Sequence, residues 1–205
     1  VDSDLNRVQV FDGNTGKPTL VFGSAGTALG QFDQPCGLAI GEDDHLIIAD
    51  TRNNRIQSFS RDGTFLFSFG SFGAAEGQFN LPTDVSLGHR GTLIVADEFN
   101  HRIQVFTRLG SFLFAFGAQG EGPGQFTGPE FVAVTSHGHI CVSDWKQHRI
   151  HIFTSDGVFV QSIGGQESGP ASFREPFGLA IGADDSILVA DCLNNRIVVL
   201  GAGRG

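Results

Sequence analysis

The sequence lacks tyrosine and methionine, has one tryptophan and three cysteines, and has no long apolar run. A membrane-spanning helix needs roughly 18 or more consecutive apolar residues, so we expect no membrane partner. Cys36, Cys141 and Cys192 are odd in number and include no closely spaced pair. This argues against a disulfide framework and against a zinc site. The cysteine usage favours a reducing compartment, and we predict a cytoplasmic location.

Basic side chains are also scarce. Lys and Arg total 13 against 22 Asp and Glu, which gives a formal net charge of -9. Nucleic-acid backbones are bound through basic patches, and an acidic surface repels them. The composition therefore disfavours nucleic acid as the main ligand.

The chain does contain a repeat. An Asp recurs at positions 2, 50, 97, 144 and 191, and an Arg five places later recurs at 7, 55, 102, 149 and 196. The spacing is 47 or 48 residues throughout. A period of this size indicates a repeat architecture.

Each repeat predicts four short strands. In the second repeat these are Gly37–Ile40, Leu46–Ala49, Arg55–Phe59 and Thr64–Phe69, separated by polar or glycine-containing turns. No stretch shows a helical period. Four strands in about 47 residues are typical of one blade of a β-propeller. We therefore predict an all-β propeller of four-stranded antiparallel blades.

The repeats cover the whole chain. We predict one propeller domain over residues 1–205, with two partial repeats at its ends and three full repeats between them: 1–32, 33–79, 80–126, 127–173 and 174–205. The predicted strands number 17, which is not a multiple of four. We therefore expect a segment of a longer protein, and an incomplete part of a five- or six-bladed ring.

The repeat units resemble those of a known family. Ala49–Ile56, Ala96–Ile103 and Ala190–Ile197 are similar to NHL repeats, and Gly73–Phe79 and Gly120–Phe126 match the spacers between NHL blades. The resemblance covers nearly the whole chain. It implies a propeller of usually six blades, best known from the C-terminal part of tripartite-motif (TRIM-NHL) ubiquitin ligases, where it binds substrate proteins or RNA.

The recurring Asp and Arg are predicted to be structural, because a catalytic pair has no reason to recur in every repeat. An arginine fork donates to several oxygens at once, which suits an ion pair or a backbone clamp. The predicted structural residues are Asp50, Arg55, Asp97, Arg102, Asp144, Arg149, Asp191 and Arg196.

We predict no catalytic residue, no metal and no cofactor. His137 and His139 form a His-x-His pair, but no third ligand is evident. The glycine-rich links are not followed by Lys-Ser/Thr or by a helix, as a phosphate loop would be. Lyase members of the family need a metal and several catalytic side chains, tyrosine among them, and this chain has no tyrosine.

Most of the 20 phenylalanines fall at repeating positions and are predicted to pack between blades, with Phe11, Phe59, Phe106 and Phe153 at the ends of the third strands. Propeller connectivity places the loops between second and third strands on the same face as the links between blades. Aromatic residues outside the repeat pattern on that face are typical of a binding hot spot. The predicted partner-binding residues are Arg52, Phe99, Phe131, Trp145, Lys146, Phe177 and Leu193.

These residues favour a non-enzymatic protein-interaction domain that recruits substrates or partners for a ubiquitin-ligase-type protein. RNA binding and a propeller lyase or hydrolase are the alternatives. The basic residues predicted on the face are Arg52, Lys146 and Arg174, and the acidic ones are Asp4, Asp33, Glu76, Glu98, Glu121, Glu167 and Glu175. This balance repels phosphate and makes RNA the weaker interpretation.

Overall fold

A computed structural model of the chain describes residues 1–41, 44–165 and 172–201. These residues contain 17 β-strands in five antiparallel sheets, which we call the first to the fifth blade. The first blade consists of β1 (Val8–Phe11) and β2 (Pro18–Phe22). The second blade consists of β3 (Pro35–Ile40), β4 (Leu46–Asp50), β5 (Arg55–Phe59) and β6 (Phe65–Phe69). The third blade consists of β7 (Pro82–Leu87), β8 (Leu93–Asp97), β9 (Arg102–Phe106) and β10 (Phe112–Phe116). The fourth blade consists of β11 (Pro129–Val134), β12 (Ile140–Asp144), β13 (Arg149–Phe153) and β14 (Phe159–Gly164). The fifth blade consists of β15 (Pro176–Ile181), β16 (Ile187–Asp191) and β17 (Arg196–Leu200).

The predicted all-β propeller is confirmed. Two local features differ from the prediction. Strand β3 begins at Pro35, two residues earlier than expected, and the segment after Asp50 forms a 3₁₀ turn over Thr51–Asn53. The turn ends at Asn54, whose φ of 54° lies in the left-handed region that Asn tolerates. Similar turns follow β8 at Glu98–Asn100 and β16 at Cys192–Asn194, and a 3₁₀ turn of different geometry occupies His89–Gly91 between β7 and β8. Within the described residues, no helix is long and apolar enough to cross a membrane.

The second strands form the core of the full blades. All five residues of β4, β8 and β12 are buried. Neighbouring blades cover both faces of these strands, so their sequences read as continuous apolar runs instead of alternating ones. Each run ends in an Asp that is completely buried.

Phenylalanine rings fill the spaces between blades. The ring of Phe59 lies 5.0 Å from that of Phe22 and 5.5 Å from that of Phe32, so it joins the second blade to the first. Phe106 and Phe153 occupy the same position in the next two blades and are equally buried. Each such pair contributes about 0.5–1.5 kcal/mol beyond its buried area.

Phe11 does not follow this arrangement, and its interpretation as a packing residue is wrong. Phe11 is 54% exposed, because no described residue forms a blade in front of the first one. At the other end, Ile197 is 65% exposed, although its counterparts Ile56 and Ile103 are fully buried against the next blade. Within the described residues, the outer faces of the two terminal blades are therefore uncovered.

Glycine is required where each link leaves the last strand of a blade. Gly70 has a φ of 99°, which L side chains rarely adopt. A Cβ at this position would lie 2.5 Å from the ring of Phe79. The glycine thus allows the link to turn and the phenylalanine that ends it to enter the core.

The repeated Asp fastens each link to its blade. In the second blade, Asp50 Oδ1 accepts from the backbone N–H of Asp33 (2.8 Å), and its Oδ2 accepts from Arg55 Nε (2.7 Å). The same guanidinium donates to the carbonyls of Ala28 (2.7 Å) and Gln31 (2.9 Å). We call this Asp–Arg–backbone arrangement the clamp. It joins the loop after the second strand to the link that enters the blade.

The third blade repeats the clamp. Asp97 accepts from Arg102 Nε (2.8 Å) and from the backbone N–H of Asn80 (2.8 Å), and Arg102 also donates to the carbonyl of Gln78 (2.9 Å). Ion pairs of the same kind join Asp2 to Arg7 and Asp191 to Arg196.

We expect Arg102→Ala to lower the free energy of unfolding by about 1–3 kcal/mol. The substitution removes three hydrogen bonds and leaves a buried carboxylate without its cation. Urea unfolding monitored by fluorescence measures the change. Arg61→Ala is the matched control, because the Arg61–Asp44 pair is solvent-exposed and such pairs contribute about 0–1 kcal/mol. Equal losses in the two variants would contradict the structural role of the clamp.

Candidate functional site

Most of the predicted binding residues lie at one end of the blades. There the backbone N–H of each loop after the second strand donates to the link that precedes the blade: Arg52 to Asp33, Phe99 to Asn80, Trp145 to Gly128 and Leu193 to Arg174. We call this end the loop face. It consists of loops 51–54, 98–101, 145–148 and 192–195 and the described residues of the links before β3, β7, β11 and β15.

Four of the predicted residues meet around one carboxylate. The Lys146 ammonium lies 4.9 Å from the Trp145 ring centroid, 5.5 Å from that of Phe99 and 4.0 Å from Glu98 Oε1. Trp145 stacks on Phe177 at 5.9 Å, and its Nε1 donates to Glu98 Oε1 (3.3 Å). We call these five residues the aromatic cluster.

The members of the aromatic cluster differ in exposure. Phe99 is 50% exposed and offers its ring to solvent, whereas Glu98 is buried and Trp145 and Phe177 are partly buried. Trp145 contacts the third blade through Glu98 and the fifth through Phe177. It therefore packs blades together as well as contributing surface.

Three predicted residues lie outside the aromatic cluster. Arg52 and Leu193 are exposed in the loops of the second and fifth blades, and neither makes a hydrogen bond or ring contact with the cluster within the described part of the chain. Phe131 lines the central cavity, and its N–H donates to Ser143 Oγ (3.0 Å). The predicted set is thus divided between the cluster, the cavity wall and two separate loops.

The wall of the central cavity contains an acidic residue, Asp84, that was not among the predicted site residues. The cavity has a volume of about 480 Å³ and is lined by the first strands of the second to fifth blades. Asp84 is buried in its wall and accepts from the backbone N–H of Val132 (2.9 Å). Gly37 makes room for it, because a Cβ there would lie 2.5 Å from Asp84 Cα.

Burial changes the protonation of Asp84 and of two further acids, Glu130 and Glu98. It raises the pKa of Asp84 to about 7 and, together with the charges of Glu98 and Asp84, the pKa of Glu130 to about 8. The pKa of Glu98 is raised too, mainly by burial. Burial and the same three acids raise the pKa of the Cys36 thiol to about 11, which opposes the thiolate that a catalytic cysteine needs.

Asp84 and Glu130 had a signal in the sequence. Both stand in first strands, at repeat positions where the other blades carry uncharged residues. The second blade has Gly37 in the position of Asp84, and the fifth has Phe177 in the position of Glu130. A charge that departs from a repeat near the channel is the feature that identifies them.

Hydrogen bonding between blades changes where the third blade meets the fourth. Asn54 Oδ1 accepts from the N–H of Leu81, which ties the second blade to the next link (2.9 Å). His101 stands in the equivalent position, but its Nδ1 is buried without a partner among the described residues. In this position His101 would accept from the N–H of Gly128, but that N–H donates to Asp144 Oδ1 instead (3.1 Å).

The clamp of the fourth blade is altered as well. Asp144 accepts from the backbone N–H of Thr127 (2.7 Å) and from Gln147 Nε2 (3.0 Å). Gln147 also donates to the carbonyls of Gly120 and Gln125. No Asp144–Arg149 ion pair within 4.0 Å occurs in the described part of the chain, unlike the pairs of the second, third and fifth blades. Gln147 thus repeats the contacts that Asn53 and Asn100 make to the Asp carboxylate and the glycine carbonyl in the preceding blades. Its bond to the Gln125 carbonyl corresponds to one that the arginine makes there.

His151 occupies the position held by Gln57 and Gln104 in the preceding blades. Its Nδ1 lies 2.9 Å from Ser162 Oγ, and its Nε2 is buried without a partner within the described residues. Burial lowers the pKa of His151 to about 4. The imidazole is therefore neutral in the folded protein near neutral pH.

The histidines on the opposite end do not form a metal site or a catalytic triad. His137 Nδ1 lies 2.7 Å from Asp185 Oδ2, and Ser136 Oγ donates to the same oxygen (2.6 Å). Both side chains thus point at the carboxylate, whereas in a triad the imidazole lies between serine and aspartate. Residues 1–41, 44–165 and 172–201 contain no group of three or more His, Cys, Asp or Glu side chains that could hold a metal ion.

Comparisons with known proteins connect this geometry to a family. The model of the NHL repeat matches residues 32–59, 79–106 and 126–153. The chain is 46% identical over 46 residues to the protein brain tumor of Drosophila melanogaster, 38% over 64 to lin-41 of Caenorhabditis elegans, and 44% over 50 to the E3 ubiquitin-protein ligase TRIM71 of Gallus gallus. These alignments cover 22%, 31% and 24% of this chain and only 4%, 6% and 6% of the relatives.

Solved structures share the fold at low identity. A streptogramin B lyase has a TM-score of 0.73 at 16% identity, covering 98% of this chain and 61% of that one. A virginiamycin B lyase from Staphylococcus aureus has a TM-score of 0.69 at 15% identity, covering 100% of this chain and 66% of that one. Likeness at this identity shows the propeller fold alone.

We expect His151→Gln to reduce the pH dependence of stability. The pKa of His151 lies below the ordinary value of 6.5 in the folded state, so the unfolded chain binds more protons between about pH 4 and 6.5. The wild type should therefore lose up to about 3 kcal/mol through this group as pH falls across that window. Urea unfolding of both proteins at several pH values measures the difference. Parallel stability curves would contradict the buried neutral imidazole.

Trp145→Ala should destabilise the fold by about 1–3 kcal/mol, because it removes the stack on Phe177 and the hydrogen bond to Glu98. Phe99→Ala should cost less than about 1 kcal/mol, since half of that ring is already in solvent. Thermal unfolding of the two variants distinguishes them. If Phe99→Ala is as destabilising as Trp145→Ala, Phe99 is a packing residue and not free surface.

Proposed function

Because the chain is a β-propeller built of NHL repeats, we propose that it is a non-enzymatic protein-interaction domain that recruits a substrate or partner for a ubiquitin-ligase-type protein. The relatives support this proposal, since they include a protein named E3 ubiquitin-protein ligase TRIM71. The alignments cover a small part of those relatives, so the activity of the whole protein belongs to the proposal too.

The aromatic cluster is the observation that carries the proposal. The position of Phe99 holds Arg52 in the second blade and Leu193 in the fifth. The position of Trp145 holds Thr51 and Cys192 in the same two blades, so the repeat does not require an aromatic residue at either position. Packing is one reason to retain Trp145, but it does not account for the exposed ring of Phe99. Exposed aromatic rings beside partly buried polar groups are typical of residues that dominate binding energy.

The surroundings of the cluster suit a protein partner. Phe99 provides apolar surface, Lys146 and Glu98 provide charged groups, and the half-buried pair of Trp145 and Phe177 provides a rigid base. A hydrophobic centre with a polar rim is the usual anatomy of a protein–protein interface. We further propose a cytoplasmic setting, in keeping with three cysteines that are all free.

RNA remains the first alternative. The Lys146 ammonium already contacts Glu98 and two aromatic rings, which reduces its availability for phosphate. Arg52 and Arg174 are exposed but lie in different blades. Of the seven acids predicted on this face, Glu167 lies outside the described residues. Aromatic stacking of unpaired bases is the interaction through which RNA would still bind.

A propeller lyase or hydrolase is the second alternative. Asp84 and Glu130 have pKa values of about 7 and 8 beside the central cavity, a range suited to general acid–base catalysis. The solved lyases share the fold alone, and they transfer no catalytic role to these residues.

We expect Phe99→Ala to abolish partner capture without loss of folding. The immobilised domain is exposed to cell lysate, and bound proteins are quantified by mass spectrometry against the wild type. Leu109→Ala is the matched control, because Leu109 is an exposed apolar residue in a turn at the opposite end of the third blade. The proposal requires a reproducible set of proteins that Leu109→Ala retains and Phe99→Ala loses, with chemical cross-links on the loop face. Equal capture by both variants would overturn the proposed binding face.

A further inference from the structure

The aromatic cluster already shows what kind of group it stabilises. The Lys146 ammonium lies over the faces of Phe99 and Trp145 and next to the buried Glu98 carboxylate. Ring faces carry partial negative charge and attract cations, most strongly where water is excluded. The chain's own lysine thus occupies an environment that is built for a basic side chain.

The negative charge of this region exceeds what one lysine can balance. Glu98 and Asp84 are close enough to raise the pKa of Glu130, and all three acids raise the pKa of Cys36. The Lys146 ammonium offsets part of this effect at Glu98 and Glu130. The Glu130 carboxylate has no hydrogen-bond or ion-pair partner among the described residues, although Thr83 Oγ1 donates to its backbone carbonyl (2.6 Å). A partly buried carboxylate without a partner is costly and is stabilised when a cation arrives.

We propose that the partner presents an arginine or lysine side chain to the aromatic cluster, next to Glu98 and the neighbouring Glu130. This inference rests on the proposed function and specifies the chemistry of the partner. The aliphatic stem of the incoming side chain packs on the stacked Trp145–Phe177 pair, and its charge approaches Glu130. The excess of acids on the loop face attracts a basic segment and repels an acidic one.

A cation at this site changes the ionisation of Glu130. The charged groups that act on Glu130 are Glu98, Asp84 and Lys146, and the Cys36 thiol responds to the same acids. An incoming cation favours the carboxylate, so its binding releases a proton below about pH 8. Affinity for a basic segment should therefore increase as pH rises from 6 to 8.5.

Lys146 provides a test whose sign depends on the class of ligand. For a basic segment, Lys146 competes for the same acids and rings, so Lys146→Met should strengthen binding severalfold. For RNA or an acidic segment, Lys146 is an attractive charge, so the same substitution should weaken binding. Because the Lys146 side chain is exposed, the variant should fold like the wild type, and thermal unfolding checks this.

The experiment measures fluorescence anisotropy of a labelled peptide in which arginine alternates with glycine, at physiological salt. We expect saturable binding that Glu130→Gln weakens by about fivefold to tenfold, the size expected for loss of one charge–charge contact in a partly buried site. Glu76→Gln is the matched control, because it removes an equal charge from an exposed position on the same face. A glutamate–glycine peptide and a random single-stranded RNA pool are the comparison ligands.

The inference fails if the arginine peptide does not bind, if Glu130→Gln and Glu76→Gln weaken it equally, or if Lys146→Met weakens it. Saturable RNA binding that Lys146→Met reduces would replace the basic segment with a nucleic acid. Partner capture that depends on Phe99 but not on Glu130 would leave the proposed function standing and overturn only the basic side chain. Glu130-dependent peptide binding without Phe99-dependent partner capture would support the basic side chain and overturn the proposed function.

Discussion

The structure depends on a buried carboxylate at the end of each second strand. Asp50 and its counterparts accept from the incoming link and, in most blades, from the Arg five residues later. A carboxylate at this depth is tolerated only because several donors surround it. The same contacts hold the loop after the second strand against the link, so the loops and the links that form the loop face are both fixed in position. A binding surface on these loops is thus rigid because of the clamp that forms the repeat.

The place where the clamp changes is also where the surface is most distinctive. Between the third and fourth blades, Gln147 donates to the Gln125 carbonyl in place of arginine, and Nδ1 of His101 has no partner among the described residues. Trp145 then spans from Glu98 to Phe177 and joins three consecutive blades. Repeat proteins carry their stability in features common to all repeats, so individual loops are free to diverge. The divergence here brings aromatic rings and charges together on one face.

The acidic groups beside the cavity connect this face to the channel. Asp84 is held by the N–H of Val132, while Glu130 has no side-chain partner among the described residues and Glu98 is shared between Trp145 and Lys146. Their raised pKa values follow mainly from burial. Buried carboxylates that are not fully neutralised attract cations, and these desolvated acids are the reason for proposing a basic partner.

The sequence by itself determined the blades, because a 47-residue period, recurring apolar runs and a local Asp–Arg pair are all visible along the chain. It also identified Phe99, Trp145 and Phe177 as departures from the period, and Lys146 as a candidate contact beside them. Only the tertiary structure decided that these four lie around Glu98 while Arg52 and Leu193 do not, that Phe11 is exposed, and that Asp84 lines the cavity. A period relates equivalent positions, but it contains no information on the distance between loops of different blades. Which side chains meet and which carboxylates lose water depend on that distance, and packing of the blades fixes it.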